Sequence, residues 1–426
     1  MLMTEPMDAQ VCVVGAGPGG LALAVELTRA GVDVVVVEQT GHFNRSFRGE
    51  SISPDGVYLL DRLGVLKEII EEGAMETRRL EIVDGGRTVL DADFDRFDDY
   101  EYRYPMEVPQ PTLLKALADA AGTTGRFRMV RRSKAAALLE EGGRITGVSC
   151  STPDGPLEVR ARLTVAADGR YSKVREMAGL DARKLPLDRD VIWFKVPAPA
   201  GWDVLTYRIR IRADKHALFI PTFPNMVRVG VNIPKDGLRD VRRLGIGFLH
   251  SHVRELAPEM APVVVEHVPD WSHTSVLDIF TSTAPRWSRP GLVLMGDAAH
   301  TLSPILGQGV NHALIDAVTL APLVAAAFER PAAERDRALG DAADRFQAVR
   351  EPSVARSRRI QLRQEKLFTF GSRPGGWLRQ GLYRAMNSST PLTRFILGKA
   401  YFQVQPRRSA RDRVPVRNAS GVRHVI

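Results

Sequence analysis

The chain has 426 residues, 44% of them hydrophobic and 26% charged, which is typical of a folded globular protein and argues against a disordered, collagen-like or membrane-spanning class. The formal net charge is +9, but six arginines and one aspartate in residues 405–426 contribute +5 of it, so the charge alone does not indicate a nucleic-acid partner. Two cysteines, Cys12 and Cys150, exclude a disulfide framework, and without a Cys-x-x-Cys pair there is no zinc knuckle, so we expect a cytoplasmic protein.

The N-terminal segment is predicted to form a βαβ unit. Residues 10–14 are an apolar run that ends at glycines, Leu21–Ala30 has helical spacing, and Val32–Glu38 is rich in β-branched residues. Glu5 and Asp8 stand where an export signal carries basic residues, and glycines and charges interrupt the apolar stretch. We therefore expect neither a signal peptide nor stable membrane insertion.

Helices and strands alternate up to about residue 166, after which the pattern changes. The predicted elements are helices at 53–66 and 111–121 and strands at 80–83, 144–149 and 157–166. Short alternating runs, typical of an antiparallel sheet, then predict strands at 191–196, 207–211, 216–220 and 227–233. The remaining predictions are helices at 239–256, 310–328, 331 to about 371 and 377–386, and strands at 276–281 and 291–295. The basic tail is interpreted as a solvated end, with contact to an acidic surface as the alternative.

A glycine-rich turn lies between the first predicted strand and the first predicted helix. It fits G-x-G-x-x-G and consists of Gly15, Gly17, Pro18, Gly19 and Gly20 around Ala16. In this position the first glycine permits a tight turn, the second lets the backbone approach a pyrophosphate, and the third permits close packing of helix on strand. Glu38, at the end of the second strand, is placed to accept hydrogen bonds from ribose hydroxyls. The alternative is a glycine-rich turn that binds nothing.

Two further motifs lie at strand ends. Asp297 follows a buried strand, and the segment Pro304, Gly307, Gln308, Gly309, Val310 and Asn311 precedes a long helix. An aspartate in that position can bind a polyol, while N–H groups before the helix can stabilise an anionic oxygen or ring. Asp168 stands in an Asp-Gly turn after another strand. A purely structural turn is the alternative for both motifs.

The order of these three motifs resembles the class A flavoprotein aromatic hydroxylases, which have the fold of p-hydroxybenzoate hydroxylase, over about residues 8–330. The resemblance implies an α/β protein in which an antiparallel β-sheet substrate domain is inserted into a Rossmann-like FAD-binding domain. The expected bounds are 8–80, 105–185 and 285–330 for the FAD-binding domain, 81–104 and 186–284 for the β-sheet domain, 331–404 for C-terminal helices and 405–426 for the basic tail.

The resemblance also implies roles for single residues. The glycine turn and Glu38 would hold the ADP half of FAD, Asp297 would meet its ribityl or pyrophosphate portion, and Gly307–Asn311 would contact the isoalloxazine. Arg48 falls where the family has an arginine near the flavin, Gln110 falls near a polar cofactor-binding position, and Asp168 matches a motif that serves both FAD and NAD(P)H. For Arg48 and Gln110 the alternative is a surface or capping role.

The chemistry implied by the resemblance is hydroxylation. NADH or NADPH reduces FAD, O2 adds to give a flavin hydroperoxide, and the distal oxygen is transferred to an electron-rich ring. The substrate would be an aromatic or polycyclic small molecule, most simply in specialised metabolism such as antibiotic biosynthesis. No second G-x-G-x-x-G follows a strand, so NAD(P)H is expected to dock in a surface groove, or a partner reductase to deliver reduced flavin.

Substrate contacts are the least constrained part of the sequence. Trp193, Tyr207, Phe219 and Phe223 lie on the predicted middle sheet, whose face covers the flavin in this fold, with plain core as the alternative. No pair of histidines has metal-ligand spacing on a recognisable helix, so no metal site is predicted. The residues do not single out a catalytic base.

Three other functions are alternatives to hydroxylation. A flavin-dependent reductase or dehydrogenase of an unsaturated or lipidic substrate is suggested by apolar residues among basic ones near the C-terminus, such as Trp377 and Phe395, which could dock at a membrane surface or pack on the core. A flavin-dependent halogenase is disfavoured because the tryptophan-x-tryptophan-x-isoleucine-proline signature is absent. A flavoprotein fold kept as a binding module is disfavoured by the intact cofactor motifs.

Overall fold

The structure is a computed structural model that describes residues 5–43, 50–369 and 372–408. Its helices are α1 (Pro18–Arg29), α2 (Pro54–Arg62), α3 (Leu66–Gly73), α4 (Gln110–Gly122), α5 (Lys173–Met177), α6 (Leu238–Arg243), α7 (Gly247–Leu256), α8 (Ala261–His267), α9 (Gln308–Phe328), α10 (Arg335–Thr369), α11 (Arg373–Ser388) and α12 (Thr390–Tyr401). Its strands are β1 (Met7–Val14), β2 (Val34–Val37), β3 (Ser51–Ile52), β4 (Met75–Glu76), β5 (Arg79–Asp84), β6 (Arg87–Asp93), β7 (Met106–Glu107), β8 (Phe127–Val130), β9 (Lys134–Glu141), β10 (Arg144–Thr152), β11 (Gly155–Ala166), β12 (Arg183–Pro186), β13 (Arg189–Pro197), β14 (Thr206–Arg212), β15 (Lys215–Thr222), β16 (Met226–Pro234), β17 (Ser275–Leu277), β18 (Phe280–Thr283), β19 (Ser288–Arg289), β20 (Leu292–Leu294) and β21 (His300–Thr301).

An eight-stranded sheet forms the centre of the first layer. Its strand order is β19-β20-β11-β1-β2-β8. Strand β10 also pairs antiparallel with β11, and β9 pairs antiparallel with β10. The four residues of β2 are all valine and all buried, as expected for a parallel strand that is covered on both faces. Helices α4 and α9 pack against α1 beside this sheet, and the largest apolar core of the protein lies between these elements and the strands. The predicted α/β fold class is confirmed.

A seven-stranded sheet forms the second layer. Its order is β17-β13-β16-β15-β14-β5-β6, antiparallel throughout except for the parallel pair of β14 and β5. One face packs against α7 and α8 around Phe194 and Val229. Because side chains alternate along a strand, the opposite face presents Trp193 and Ile220 toward the first layer.

Two helices predicted as continuous are broken at glycines. The segment predicted at 53–66 forms α2, which ends at Arg62, and α3 begins only at Leu66; the segment predicted at 239–256 forms α6 and α7. Gly64 and Gly245 stand at the two breaks with φ of +69° and +80°. A left-handed glycine commonly ends a helix, so both predictions were too long because helical spacing resumes directly after the turn.

Helix α9 is a core helix. Residues Ile305–Phe328 are long and apolar enough to cross a membrane by length and composition, but half of the relevant window is buried inside the protein. The helix packs against α1, α2 and α10, which accounts for its apolar composition.

The C-terminal helices bury only some of their large apolar side chains. Phe368 and Phe402 are buried, and Phe402 stacks on Phe97 with ring centroids 4.6 Å apart. Trp377 and Phe395 are 73% and 58% exposed. The prediction that this region packs on the core is therefore correct for part of it. The apolar side chains that stay exposed lie on α11 and α12.

Candidate active site

One cavity of about 720 Å³ runs between the two layers and joins most of the residues that the sequence singled out. The predicted cofactor residues that line it are Gly15, Gly17, Pro18, Gly19, Gly20, Glu38, Gln110, Asp168, Asp297, Pro304, Gly307, Gly309, Val310 and Asn311. Gln308 is buried outside the lining, and its side-chain amide donates to the Leu306 carbonyl at 3.0 Å. Arg48 lies outside the described residues.

The glycine turn has the geometry that a dinucleotide requires. A Cβ atom on Gly15 would lie 2.5 Å from the carbonyl oxygen of Ala167, and one on Gly20 would lie 2.2 Å from that of Gly15. In front of Gly17 there is open space, since a Cβ there would meet no atom within 4 Å. Helix α1 starts at Pro18 without a side-chain cap, so its first N–H groups are available to an anion.

Glu38 is part of the turn as well as of the cavity wall. Its Oε2 accepts a hydrogen bond from the Ala16 N–H at 2.8 Å, and its Oε1 accepts from the backbone N–H and the hydroxyl of Thr40, both at 2.9 Å. The carboxylate therefore holds the glycine turn in place. Its predicted contact with a ribose stays a prediction.

Asp168 likewise organises its own turn. Its Oδ1 accepts from the Ser172 hydroxyl at 2.6 Å and its Oδ2 accepts from the Val174 N–H at 3.1 Å. Burial raises the pKa of Asp168, and these hydrogen bonds oppose that rise. The side chain lies on the cavity wall, where its cofactor role remains predicted.

The segment before α9 brings backbone N–H groups to the cavity. Leu306 and Gly307 both have a left-handed backbone, with φ of +66° and +62°, which is a strained conformation for a leucine. No side chain of the described residues caps α9. The Asn311 side chain holds this turn in place, because it accepts from the Ser53 N–H at 2.9 Å and donates to the Gly307 carbonyl at 3.0 Å.

Asp297 stands beside the first turn of α9. Its Oδ2 lies 3.9 Å from the Arg170 Nε, its side chain is 31% exposed, and a Cβ on Gly309 would lie 4.0 Å from its Oδ1. The backbone turn that carries it is held from behind by Asp316, whose Oδ2 accepts from the Gly296 N–H at 2.7 Å.

The residues of this part of the cavity fit FAD. The open space before Gly17 suits a pyrophosphate, and the two uncapped helices α1 and α9 present N–H groups to anionic atoms. Gln110 adds an amide oxygen that is buried on the cavity wall without a hydrogen-bond partner among the described residues. A buried orphan acceptor is costly, and a cofactor hydroxyl or N–H would satisfy it.

Removing the Asp297 carboxylate should weaken FAD binding. Asp297→Ala takes away an acceptor beside α9, and the loss of a hydrogen bond to a charged group costs about 1.5 to 3 kcal/mol, or roughly 10- to 150-fold in the dissociation constant. Flavin retained after desalting, and the Kd from flavin fluorescence, measure the effect. Asp270→Ala, at an exposed turn, is the matched control. Wild-type flavin content in Asp297→Ala would remove Asp297 from the binding site.

The wall opposite the cofactor residues comes from the seven-stranded sheet. Trp193 and Tyr207 line it, together with Leu218, Ile220 and Leu277. The Arg228 guanidinium carbon lies 5.3 Å from the Trp193 ring centroid, so a cation packs against the tryptophan. Contact of Trp193 and Tyr207 with substrate remains a prediction. Both residues lie on the cavity wall, which is the position that such contact requires.

Phe219 and Phe223, the other two predicted substrate residues, do not line the cavity. Phe219 is fully buried on the opposite face of β15, with its ring centroid 5.9 Å from that of Trp202. The ring of Phe223 lies against Gly73. The prediction was wrong for Phe219 because its neighbours Leu218 and Ile220 take the cavity-facing positions of the strand.

A buried cluster of charged residues on the cavity wall escaped the sequence reasoning. Glu107 on β7 and Arg228 on β16 are joined by a 3.1 Å ion pair, and their side chains are 4% and 6% exposed. Glu50 pairs with Arg228 at 3.4 Å and with Lys195 at 2.8 Å. Charged residues are almost never buried without a partner, but these partners are far apart in the chain and carry no shared motif.

Comparisons with known proteins agree with this geometry. A family model described as FAD binding domain matches residues 8–349. The 6-methylpretetramide 4-monooxygenase of Streptomyces rimosus is 35% identical over 407 residues, 94% of each protein. The crystal structure of Pseudomonas aeruginosa PqsL with 2-aminobenzoylacetate is 24% identical, with a TM-score of 0.75 over 88% of this chain and 99% of PqsL. OxyS, the anhydrotetracycline hydroxylase of Streptomyces rimosus, is 24% identical, with a TM-score of 0.71 over 93% of this chain and 76% of OxyS. At these identities the two structures establish the shared fold.

Proposed function

Because the chain belongs to the FAD-binding-domain family of class A FAD-dependent aromatic hydroxylases, and is therefore a FAD-dependent monooxygenase, we propose that it hydroxylates a polycyclic phenol. The family predicted from the three sequence motifs is thereby confirmed. The names of its relatives, a 6-methylpretetramide 4-monooxygenase and an anhydrotetracycline hydroxylase, support a polycyclic substrate of specialised metabolism. NAD(P)H is the reductant typical of the family.

The observation that carries the proposal is the single cavity between the layers. Its floor is built from the glycine turn and the turns at Asp168 and Asp297, and its roof is an apolar and aromatic sheet face around Trp193 and Leu218. FAD, when bound, supplies the reaction with O2 that the protein's own side chains cannot perform. The sheet face excludes water from the space above the cofactor residues and offers a flat wall to an aromatic ring system.

The C-terminal helices complete the roof. Tyr401 at the end of α12 lines the cavity, and the segment behind it is tied to Asp55, whose carboxylate accepts from the backbone N–H groups of Gln403, Val404 and Gln405. Burial raises the pKa of Asp55, and these three hydrogen bonds oppose that rise. The C-terminal region is thus a wall of the substrate space in the proposed function.

Location and electron delivery belong to the same proposal. Both cysteines, Cys12 and Cys150, are buried free thiols, which supports a reducing cytoplasm. NADH or NADPH would dock at the open side of the cavity, or a partner reductase would supply reduced flavin. The lipid-reductase alternative depends on the exposed Trp377 and Phe395, which lie on α11 and α12 and do not line the cavity.

Oxygen insertion by the purified protein is the expected result that tests the proposal. Incubation with NADH or NADPH, isotopically labelled O2 and a panel of polycyclic phenols should give a product heavier by one oxygen atom that carries the label. Liquid chromatography with mass detection identifies the product, and an anaerobic sample is the control. Nicotinamide oxidation that yields only hydrogen peroxide with every phenol would contradict a polycyclic phenol substrate, while hydrogenation of an unsaturated lipid would favour the reductase alternative.

A further inference from the structure

Glu107 lines the cavity and uses one of its two carboxylate oxygens for its hydrogen bonds to the described residues. Its Oε2 accepts both of its hydrogen bonds, from the Ser51 hydroxyl at 3.0 Å and from the Arg228 Nη2 at 3.1 Å. Within the part of the chain that the structure describes, its Oε1 has no hydrogen-bond partner and is not fully buried, so it is accessible from the cavity. A carboxylate that is fixed through one oxygen and unused at the other can accept a hydrogen bond from a ligand.

The position of Glu107 relative to the cofactor turn is set by Ser51. Ser51 pairs with Glu107 across β3 and β7, and a Cβ on Gly307 would lie 3.0 Å from the Ser51 Cβ. The Glu107 carboxyl is therefore one side chain away from the turn before α9. A ligand group that reaches its Oε1 stands between the sheet face and the residues assigned to the flavin ring.

The cation that pairs with Glu107 also pairs with a second carboxylate. Arg228 is shared between Glu107 and Glu50, and Lys195, at 2.8 Å from Glu50, faces Glu107 at longer range. Tyr207 from β14 and Tyr401 from α12 face the same carboxyl. Burial raises the pKa of Glu107 to about 7, with the opposing influence of Arg228 and Ser51 insufficient to restore its ordinary value.

The two tyrosines complement the carboxylate. Burial, together with the negative charge of Glu107, holds the pKa of Tyr401 well above its ordinary value, and burial does the same for Tyr207. Both tyrosines line the cavity, and their hydroxyls stay protonated at neutral pH. The wall thus combines one acceptor with two hydroxyl groups, a set that matches a ring system carrying both hydroxyl and carbonyl oxygens.

We propose that Glu107 is the catalytic base that accepts the proton of a substrate phenol during hydroxylation, an assignment that rests on the proposed function. The phenol O–H bond breaks, an O–H bond forms at Glu107 Oε1, and the electron pair stays on the phenolate oxygen, so this step consumes no oxidant or reductant. The charge released onto the ring makes its ortho and para carbons more nucleophilic. A base whose pKa lies near 7 is matched to proton transfer at neutral pH.

Glu107→Gln is the variant that tests the base, and Glu81→Gln is its matched control. Glutamine keeps the size and can still pair with Ser51, but it cannot accept a proton. Glu81 lies on β5 next to the cavity residue Leu80, and its side chain points to the opposite face. Flavin content and thermal midpoint establish that each variant is folded, and Glu107→Asp, which keeps a base, is measured beside them.

The first readout is binding, which does not depend on turnover. Polycyclic phenols that stay un-ionised at pH 8 are compared with their methyl ethers, which lack the O–H donor, by quenching of protein fluorescence at pH 6 and pH 8. Because Glu107 is ionised above about pH 7, wild-type protein should prefer the phenol by about 10- to 100-fold at pH 8 and less at pH 6. Glu107→Gln should lose this pH dependence, and Glu81→Gln should keep it.

The second readout is the rate of product formation with pre-reduced enzyme. Glu107→Gln should lower it by about 10²- to 10⁴-fold, the usual contribution of a general base, and Glu107→Asp should recover part of the loss. A glutamine variant that keeps both the pH-dependent phenol preference and the rate would overturn the assignment and leave the proposed function intact. Wild-type protein that neither binds nor hydroxylates any phenol would overturn the proposed function, and the assignment with it.

Discussion

Asp316→Asn is expected to destabilise the folded protein by about 3 to 5 kcal/mol and to weaken flavin binding, because it removes the only carboxylate of a buried network behind the cofactor turn, as far as the described residues go. Asp316 is fully buried. Its Oδ1 accepts from the Arg350 Nε at 2.6 Å, and its Oδ2 accepts from the His300 Nε2 at 2.7 Å and from the Gly296 N–H. Without the carboxylate, the guanidinium of Arg350 stays buried with no counter-charge.

The neighbouring His312 adds no charge of its own to the network. Burial, with the nearby Arg350 as a second cause, lowers the pKa of His312 to about 3, so its ring is neutral at physiological pH. The Arg350 Nη2 donates to its Nδ1 at 2.9 Å, which leaves the Nε2–H to donate to Ser357 at 3.0 Å. The network that supports the Gly296–Asp297 turn therefore depends on one carboxylate.

The pH dependence of the effect follows from the direction of the pKa shift. Burial alone would raise the pKa of Asp316, but its electrostatic interactions and hydrogen bonds with His300 and Arg350 hold it far below its ordinary value. A carboxyl with a depressed pKa contributes stability that is present above the unfolded pKa of about 3.9 and is lost as the pH falls below it. The difference between wild type and Asp316→Asn should persist from pH 5 to 8 and shrink below about pH 4.

Chemical denaturation followed by tryptophan fluorescence, with flavin retention measured in parallel, tests this prediction. Asp344→Asn is the control, since Asp344 accepts from the Ser288 hydroxyl at an exposed position on α10. A loss below about 1 kcal/mol in Asp316→Asn, similar to the control, would mean that water or the asparagine amide compensates for the missing charge.

Asp84→Asn should destabilise the C-terminal wall of the cavity by a similar amount, about 3 to 5 kcal/mol, because it leaves a second buried guanidinium without its counter-charge. The Arg379 side chain on α11 is 1% exposed. Its Nε and Nη2 donate to the two Asp84 oxygens at 2.8 and 3.2 Å, and its Nη1 donates to the carbonyl of Ala213. This pair fastens α11 to the end of β5.

Limited proteolysis and thermal unfolding measure the effect, with cleavage expected first between residues 372 and 408. The double variant Asp84→Asn/Arg379→Met should recover much of the stability, since the unpaired charge is then gone and apolar volume replaces it. Asp91→Asn, at an exposed ion pair with Arg79, should cost less than about 1 kcal/mol. A double variant no more stable than Asp84→Asn would show that packing of the arginine stem, rather than its charge, holds α11.

Structural features formed by residues close together in the chain could be predicted where backbone dihedral preferences define them. The turn from Gly15 to Gly20 lies between a strand and a helix in both sequence and structure, and Gly15 and Gly20 stand where a Cβ would strike the neighbouring backbone. The order of the three strand-end motifs likewise indicated the family and the α/β fold. The breaks at Gly64 and Gly245 were missed because helical periodicity continues on both sides of a one-residue turn.

The sequence could not predict which face of a strand meets the cavity. Alternation along β15 identifies two faces but not which one meets the cofactor, and Phe219 was assigned to the wrong one. That choice is made by α7 and α8, which pack on the Phe219 side and leave Leu218 and Ile220 toward the cavity.

The amino-acid sequence by itself determined the glycine turn, the βαβ unit, the strands of the middle sheet and the family, because each depends on dihedral preferences and side-chain periods over a few tens of residues. Only the tertiary structure decided the chemistry of the substrate wall. Glu107 meets Arg228 across 121 positions of the chain, and Tyr401 reaches the same cavity from the last helix. Such contacts are fixed by how sheet and helices pack, since the burial that raises the pKa of Glu107 exists only after the layers close over it.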